Sequence, residues 1–179
     1  MQDFGVAVCA DAVGLGKTRL AATVARLYRE QNPSTKIVVV AAKKLLPNWE
    51  REMQELGFKY DEYTKDYELF SKNLMSRKGS TFLEYFRLYN PNLIIIDEAH
   101  EGIRNYNNRI HKTCATIQQS DAFGGSRSDH RISKRQRHFL LLTATPWNNR
   151  RADIYNILSP FLNRAEGFKD LGFPPELTQ

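Results

Sequence analysis

The stretch Ala10-Asp11-Ala12-Val13-Gly14-Leu15-Gly16-Lys17-Thr18 constrains this chain more than any other. An apolar strand runs into a glycine turn, then a lysine, then a hydroxyl residue that opens a helix. Gly14 and Gly16 let backbone N–H groups approach a polyphosphate, and the helix N-terminus beyond them favours negative charge. In such a cradle Lys17 reaches the β and γ phosphates and Thr18 holds Mg²⁺. Asp11 stands where the general pattern G-x-x-x-x-G-K-[ST] has its first glycine, so the match is partial. The bland alternative is a helix-opening turn that binds nothing.

Two later stretches weigh against that alternative. Leu93-Ile94-Ile95-Ile96 is a short apolar run suited to a central strand of a parallel sheet, and it delivers Asp97-Glu98-Ala99-His100 at its carboxyl end. Open α/β sheets place their ligands there. Phe139-Leu140-Leu141-Leu142 is a third such run and delivers Thr143-Ala144-Thr145-Pro146. Three apolar strands that each end in residues suited to a phosphate site are hard to ascribe to coincidence.

The rest of the chain fits between these strands. Gly5 to Cys9 reads as the first strand and Lys17 to about Gln31 as a helix whose Leu20, Val24 and Leu27, with Ala21, Ala25 and Tyr28, face the sheet. Asn32-Pro33 stops it. Lys36 to Ala42 reads as a buried strand, and a helix starts near Pro47 with Trp49, Met53 and Leu56 on one stripe and Gly57 at its end. Trp49 reads as core packing. From Phe58 to Asn90 no long apolar run marks a strand, while Phe82, Tyr85, Phe86 and Tyr89 recur at helical spacing as core residues. Helices are expected from Asn107 to Ser120 and from Ala152 to Leu162. The sum is a three-layer α/β domain with a mainly parallel central sheet.

Composition sets outer bounds. No apolar run approaches the roughly 20 residues needed to span a bilayer, so no membrane partner is expected. Cys9 and Cys114 are the two cysteines, which excludes a disulfide framework and a C-x-x-C zinc pattern and suggests a reducing intracellular setting. Cys9 reads as a small core residue. The formal net charge of +6 suits a polyanionic partner. Arg127, Arg131, Lys134, Arg135 and Arg137 crowd among Gly124, Gly125, Ser126, Ser128 and Ser133, a flexible basic insert over 121–137. It reads as a solvated loop or as a DNA-binding element, and the two are compatible.

The three strand-end stretches resemble motifs I, II and III of superfamily 2 helicases and translocases, the second of DEAH type. The sequences between them are similar to the SWI/SNF-like branch: Asp11 before Gly14-Leu15-Gly16-Lys17-Thr18, Leu45-Leu46-Pro47-Asn48-Trp49 with Glu50, Ile103-Arg104-Asn105, and Thr145-Pro146-Trp147-Asn148-Asn149 leading into Asp153-Ile154-Tyr155. The likeness runs from Val6 to about Leu162. It implies a RecA-like, P-loop, ATP-binding lobe over 1–165, with 166–179 as a tail leading towards a second lobe. It implies a coupling role for His100, Thr143 and Thr145 at the face between lobes, and makes Lys43, Lys44 and Asn48 candidate contacts to nucleic acid. For the two lysines a solvated turn is the open alternative. Asp66-Tyr67-Glu68-Leu69 is a candidate for the branch's serine- or threonine-tyrosine motif, although polar residues stand where an apolar strand should precede it.

Phosphoryl transfer to water needs charge neutralisation, a positioned water and a group to take its proton. Lys17 and Mg²⁺ would neutralise the β and γ oxygens of ATP, with Thr18 and Asp97 holding the metal, Asp97 through water, and Glu98 would orient and activate the attacking water. His100 is not expected to be a metal ligand, because magnesium prefers oxygen. The branch closes a second RecA-like lobe over ATP and supplies an arginine from it, and 147–179 is too short for such a lobe. Gln2 is too near Ala10 to be the adenine-reading glutamine. The expectation is therefore the first motor lobe of a larger DNA translocase, which acts on duplex DNA and resides in the cytoplasm or nucleoid of a prokaryote or the nucleus of a eukaryote. A restriction or repair helicase and a non-hydrolysing, nucleotide-dependent interaction module are the alternatives. The intact set Lys17, Thr18, Asp97 and Glu98 argues against the last.

Overall fold

The computed structural model describes residues 5–12, 14–78, 81–119, 137–146 and 152–162. Val6–Cys9 forms β1 and Lys17–Gln31 forms α1. Ile37–Ala41 is β2, followed by a 3-10 turn at Lys43–Leu45 and by α2 at Leu46–Glu55. Tyr67–Ser71 is β3, with α3 at Lys72–Ser76 and α4 at Phe82–Tyr89. Leu93–Ile96 is β4, with α5 at His100–Ile103 and α6 at Arg109–Gln119. His138–Leu142 is β5 and Ala152–Leu158 is α7.

Every pairing among these strands is parallel, in the order β1-β5-β4-β2-β3. Parallel strands bury both faces, because their crossover helices cover both. Side-chain alternation divides the core accordingly. Ile37, Val39, Ala41, Leu93, Ile95, Leu140 and Leu142 pack under α1 and α2, whereas Val38, Val40, Ile94, Ile96, Phe139 and Leu141 pack with residues of α4, α6 and α7. This is the three-layer α/β architecture that the apolar runs imply.

Two expectations change. Leu20 and Leu27 do not face the sheet and are 48% and 51% exposed; Ala21, Ala22 and Ala25 are fully buried instead. Lys17 sets this phase, since it opens α1 and is itself buried. Positions four and eight residues on share its side of the helix. They meet the sheet closely, where alanine fits and leucine does not.

The stretch 58–90 does contain a strand. β3 is an edge strand of the sheet, in register with β2 from Ile37 opposite Tyr67 to Ala41 opposite Ser71. Its polar residue Glu68 is buried, and its carboxylate accepts from the hydroxyls of Tyr85 and Tyr60 and lies 3.4 Å from Lys65 Nζ. A buried charge is tolerated when it is paired and hydrogen-bonded in this way. The aromatic spacing of 82–89 is a core pattern as expected, with Phe82, Phe86 and Tyr89 buried.

Arg137 also departs from the solvated-loop reading. It is buried at the start of β5, donates to Asn90 Oδ1 at 3.1 Å and lies over the Phe86 ring. That is the amino end of the sheet, opposite to the strand ends that carry the motifs. The basic residues Arg127, Arg131, Lys134 and Arg135, the remaining insert over 121–136, the Trp147-Asn148-Asn149 stretch, Gln2, Val13 and the tail over 166–179 lie outside the described residues.

The packing of α1 yields a test. Ala22→Leu should cost about 1–3 kcal/mol by overpacking, and Leu27→Gln should stay within about 0.5 kcal/mol of the parent, both read by denaturant unfolding.

Candidate functional site

The carboxyl ends of β1, β5 and β4 lie side by side, because Cys9 pairs with Leu142 and Leu141 with Ile96. The Lys17 loop, the Thr143 segment and the Asp97 turn leave the sheet at those three ends.

In the loop, Gly14 and Gly16 have φ of 85° and 77°, a region that side-chain-bearing residues rarely adopt. Gly16 is the N-cap of α1. A Cβ at either glycine would meet nothing within 4 Å, so the backbone sign rather than crowding is what demands glycine, and the space in front of the loop is open. Leu15 is exposed at the tip. Lys17 folds back under the loop, where Nζ donates to the carbonyls of Asp11 and Ala12 at 2.9 Å each. An ammonium has three protons. Two hold the loop in shape, and engaging phosphate oxygens means using the third or exchanging these two. Thr18 is half-buried behind it. The exposed Asp11 accepts at 3.5 Å from the half-buried Cys9 thiol, and burial together with that carboxylate pushes the thiol pKa up, away from the reactive thiolate.

The Asp97 turn is held at almost every polar atom. Asp97 is buried, with Oδ1 accepting from the Glu98 N–H at 2.9 Å and Oδ2 accepting from Trp49 Nε1 at 3.0 Å. Glu98 has φ of 43°, a left-handed backbone on a residue with a long side chain. Such a conformation costs on the order of 1–3 kcal/mol and persists only where the surroundings impose it. Here they do. Lys72 Nζ donates to the Glu98 carbonyl at 2.7 Å, and the Ala99 N–H donates to the Leu142 carbonyl at 2.8 Å. Among the described residues Glu98 Oε2 is buried without a hydrogen bond, 3.4 Å from His100 Nδ1.

His100 Nδ1 lies 2.8 Å from Thr143 Oγ1, and Thr143 Oγ1 accepts from the Thr145 N–H at 3.1 Å. The Thr143 N–H donates to the Cys9 carbonyl. The fully buried Thr143 thus links β1, β5 and the Asp97 turn, so the structure brings His100, Thr143 and the Thr145 backbone into one chain of contacts. Lys43 and Lys44 are exposed just past the end of β2, on the same edge of the sheet, and the half-buried Asn48 accepts from Arg51.

Two contributors are not legible in the sequence as parts of this site. Lys72 opens the short α3 and joins the edge strand to the Glu98 turn; its ammonium also pairs with Glu101 at 2.7 Å, which holds the Glu101 carboxyl below its ordinary value. No pattern announces that residue. Trp49 reads as core, which it is, and the signal for more is the rule that a buried indole N–H needs an acceptor.

The residues suit a hard cation that keeps water and phosphate oxygens among its ligands. Among the described residues no group of three or more His, Cys, Asp or Glu could hold a metal. What stands at the strand ends is the Thr18 hydroxyl and the Asp97 carboxylate, oxygen donors of the kind that hold Mg²⁺ together with phosphates and water rather than in an all-protein cage. That set fits Mg²⁺.

Residues 4–148 match the family model described as "Type III restriction enzyme, res subunit". The chain is 28% identical to YqhH, an uncharacterised ATP-dependent helicase of Bacillus subtilis, over 87% of this chain and 26% of that protein. It is 26% identical to a RAD54-like DNA repair and recombination protein of Drosophila virilis, over 90% of this chain and 22% of that one. The SWI2/SNF2 ATPase core of Sulfolobus solfataricus, solved in complex with dsDNA, is similar at a TM-score of 0.62 and 25% identity, over 92% of this chain and 32% of its own. The chain spans about a quarter of the length of the curated relatives it matches.

Lys72→Met leaves the Glu98 carbonyl without its donor and should lower stability by about 1–3 kcal/mol. Glu101→Gln, at a half-exposed carboxylate, should cost less than about 1 kcal/mol. Because Glu101 is depressed in the folded state, its contribution is present above the ordinary glutamate pKa of about 4.3 and fades as pH falls below it. Denaturant unfolding at pH 7 and near pH 3 should show the gap between parent and Glu101→Gln closing in acid.

Proposed function

The chain belongs to the family described as the res subunit of type III restriction enzymes and is a first RecA-like lobe of the SWI/SNF-like branch of superfamily 2 helicases, and from that premise we propose that it binds Mg-ATP on the Lys17 loop and hydrolyses it, once a second lobe closes over it, to drive movement along duplex DNA. The observation that carries the reading is the Glu98 carboxylate, whose Oε2 takes no hydrogen bond and lies 3.4 Å from His100 Nδ1, next to Asp97 at the end of a central strand.

In this reading the backbone N–H groups of Gly14 to Lys17 and the start of α1 take the phosphates, and Lys17 redirects its ammonium from the loop carbonyls to the β and γ oxygens. Mg²⁺, when bound, neutralises the same oxygens and orients them for in-line attack. Thr18 and Asp97 would hold it. Glu98 orients a water and accepts its proton as the water oxygen bonds to the γ phosphorus and the bond to the ADP oxygen breaks. An arginine from the second lobe would add roughly 10³ to 10⁵ in rate by analogy with other phosphoryl-transfer enzymes. His100, Thr143 and Thr145 transmit the γ-phosphate state to the face between lobes.

Duplex DNA as partner is supported by the Sulfolobus ATPase core, which was solved in complex with dsDNA, and by Lys43 and Lys44 on the edge that carries the site. Phosphate contacts there would be independent of sequence. The lobe is taken as 1–165 with 166–179 leading on, in an intracellular setting. A motor for restriction or repair is the second reading, favoured by the description of the matched family and the name of the Drosophila relative. Its ATP chemistry is identical.

The deciding experiment measures ATP binding and turnover with no DNA, single-stranded DNA and duplex DNA. Lys17→Ala should weaken ATP binding about tenfold or more. Glu98→Gln should retain binding and lose about 10²- to 10⁴-fold of any turnover. Unaltered ATP binding in Lys17→Ala would overturn the proposed site, and stimulation by single strands alone would overturn the duplex assignment.

A further inference from the structure

Trp49 touches the site through one bond that core packing does not require. Its ring is fully buried in the apolar cluster that α1 and α2 form on one face of the sheet, a place that phenylalanine or leucine would fill. An indole brings an N–H into that apolar layer, and leaving it unpaired would be costly. The acceptor is Asp97 Oδ2, 48 positions away and on another strand end.

The two bonds to the Asp97 carboxylate are not equivalent. The donor to Oδ1 is the next residue's own N–H, which moves with the turn. Trp49 Nε1 comes from α2, a separate element that packs against α1 and β3. One local donor leaves the carboxylate free to rotate about its last torsion, whereas donors on both oxygens fix its plane. Each oxygen keeps a second lone pair, and the indole decides where those lone pairs point.

We propose that Trp49 is a positioning residue for Asp97 and thereby sets the Mg²⁺ requirement of nucleotide binding. The proposal rests on the reading of Asp97 as a metal-holding residue. Trp49 touches neither nucleotide nor metal in this role; it orients the group that does. Removing the partner that orients a metal-holding group typically costs 10- to 100-fold in metal affinity. The cost should therefore appear only where Mg²⁺ takes part.

The test is ATP binding by calorimetry to the parent chain, Trp49→Phe, Asp97→Asn and the double variant, each in EDTA and across a Mg²⁺ titration, with thermal unfolding as a check on folding. Trp49→Phe should bind ATP in EDTA within twofold of the parent and need about tenfold more Mg²⁺ to reach half of its effect. The double variant should be no worse than Asp97→Asn alone. A folded Trp49→Phe with the parent's Mg²⁺ requirement overturns the proposal and returns Trp49 to a packing role. If Asp97→Asn leaves the Mg²⁺ requirement unchanged, the reading of Asp97 fails and the proposal fails with it. Should phenylalanine unfold the chain, 3-benzothienylalanine placed at position 49 keeps the ring shape, removes only the N–H and carries the same comparison.

Discussion

Parallel pairing puts the carboxyl ends of five strands along one edge of the sheet, and the proposed site depends on that alignment. Each strand is followed by residues that matter there: Lys17 after β1, Lys43 and Lys44 after β2, Lys72 after β3, Asp97 and Glu98 after β4, Thr143 after β5. An antiparallel arrangement would alternate these residues between opposite edges. The apolar residues that bury both faces of the sheet also provide the rigid base that a polar turn needs if it is to be held off its preferred conformation.

The Glu98 turn shows what that base is for. A left-handed glutamate is unfavourable by itself, and it is retained because its carbonyl, its N–H and the next N–H are each held: by Lys72 at the start of α3, by Asp97 in the same turn and by Leu142 of β5. Strain imposed by the surroundings in this manner is common where a side chain must be aimed. The aimed group is the Glu98 carboxylate, and the fully buried Thr143 ties its neighbour His100 to β1 and β5.

The sequence was legible where one residue type answers one physical demand. Gly14 and Gly16 mark positive φ, three aliphatic runs mark doubly buried strands, and Asp97 and Glu98 follow one of them directly. It was misleading where demands overlap. On α1 the leucines form the stronger apolar stripe, yet the phase of the helix is set by the buried Lys17, which gives the sheet-facing side to alanines. β3 was hidden because an edge strand admits Glu68, and the groups that make that carboxylate tolerable, Tyr60, Lys65 and Tyr85, come from before and after the strand.

By itself the sequence carried the motifs by which the chain resembles its family, and it determined the three-layer sheet and the residues at the strand ends, because these last two follow from local backbone rules and from the periodicity of apolar residues along a few turns or a single strand. Only the tertiary structure decided which side chains steady those residues. Trp49 meets Asp97, Lys72 meets Glu98 and His100 meets Thr143 across 26 to 48 positions of chain. Such meetings depend on strand order and helix phase, and neither is encoded in the neighbourhood of the residues that meet.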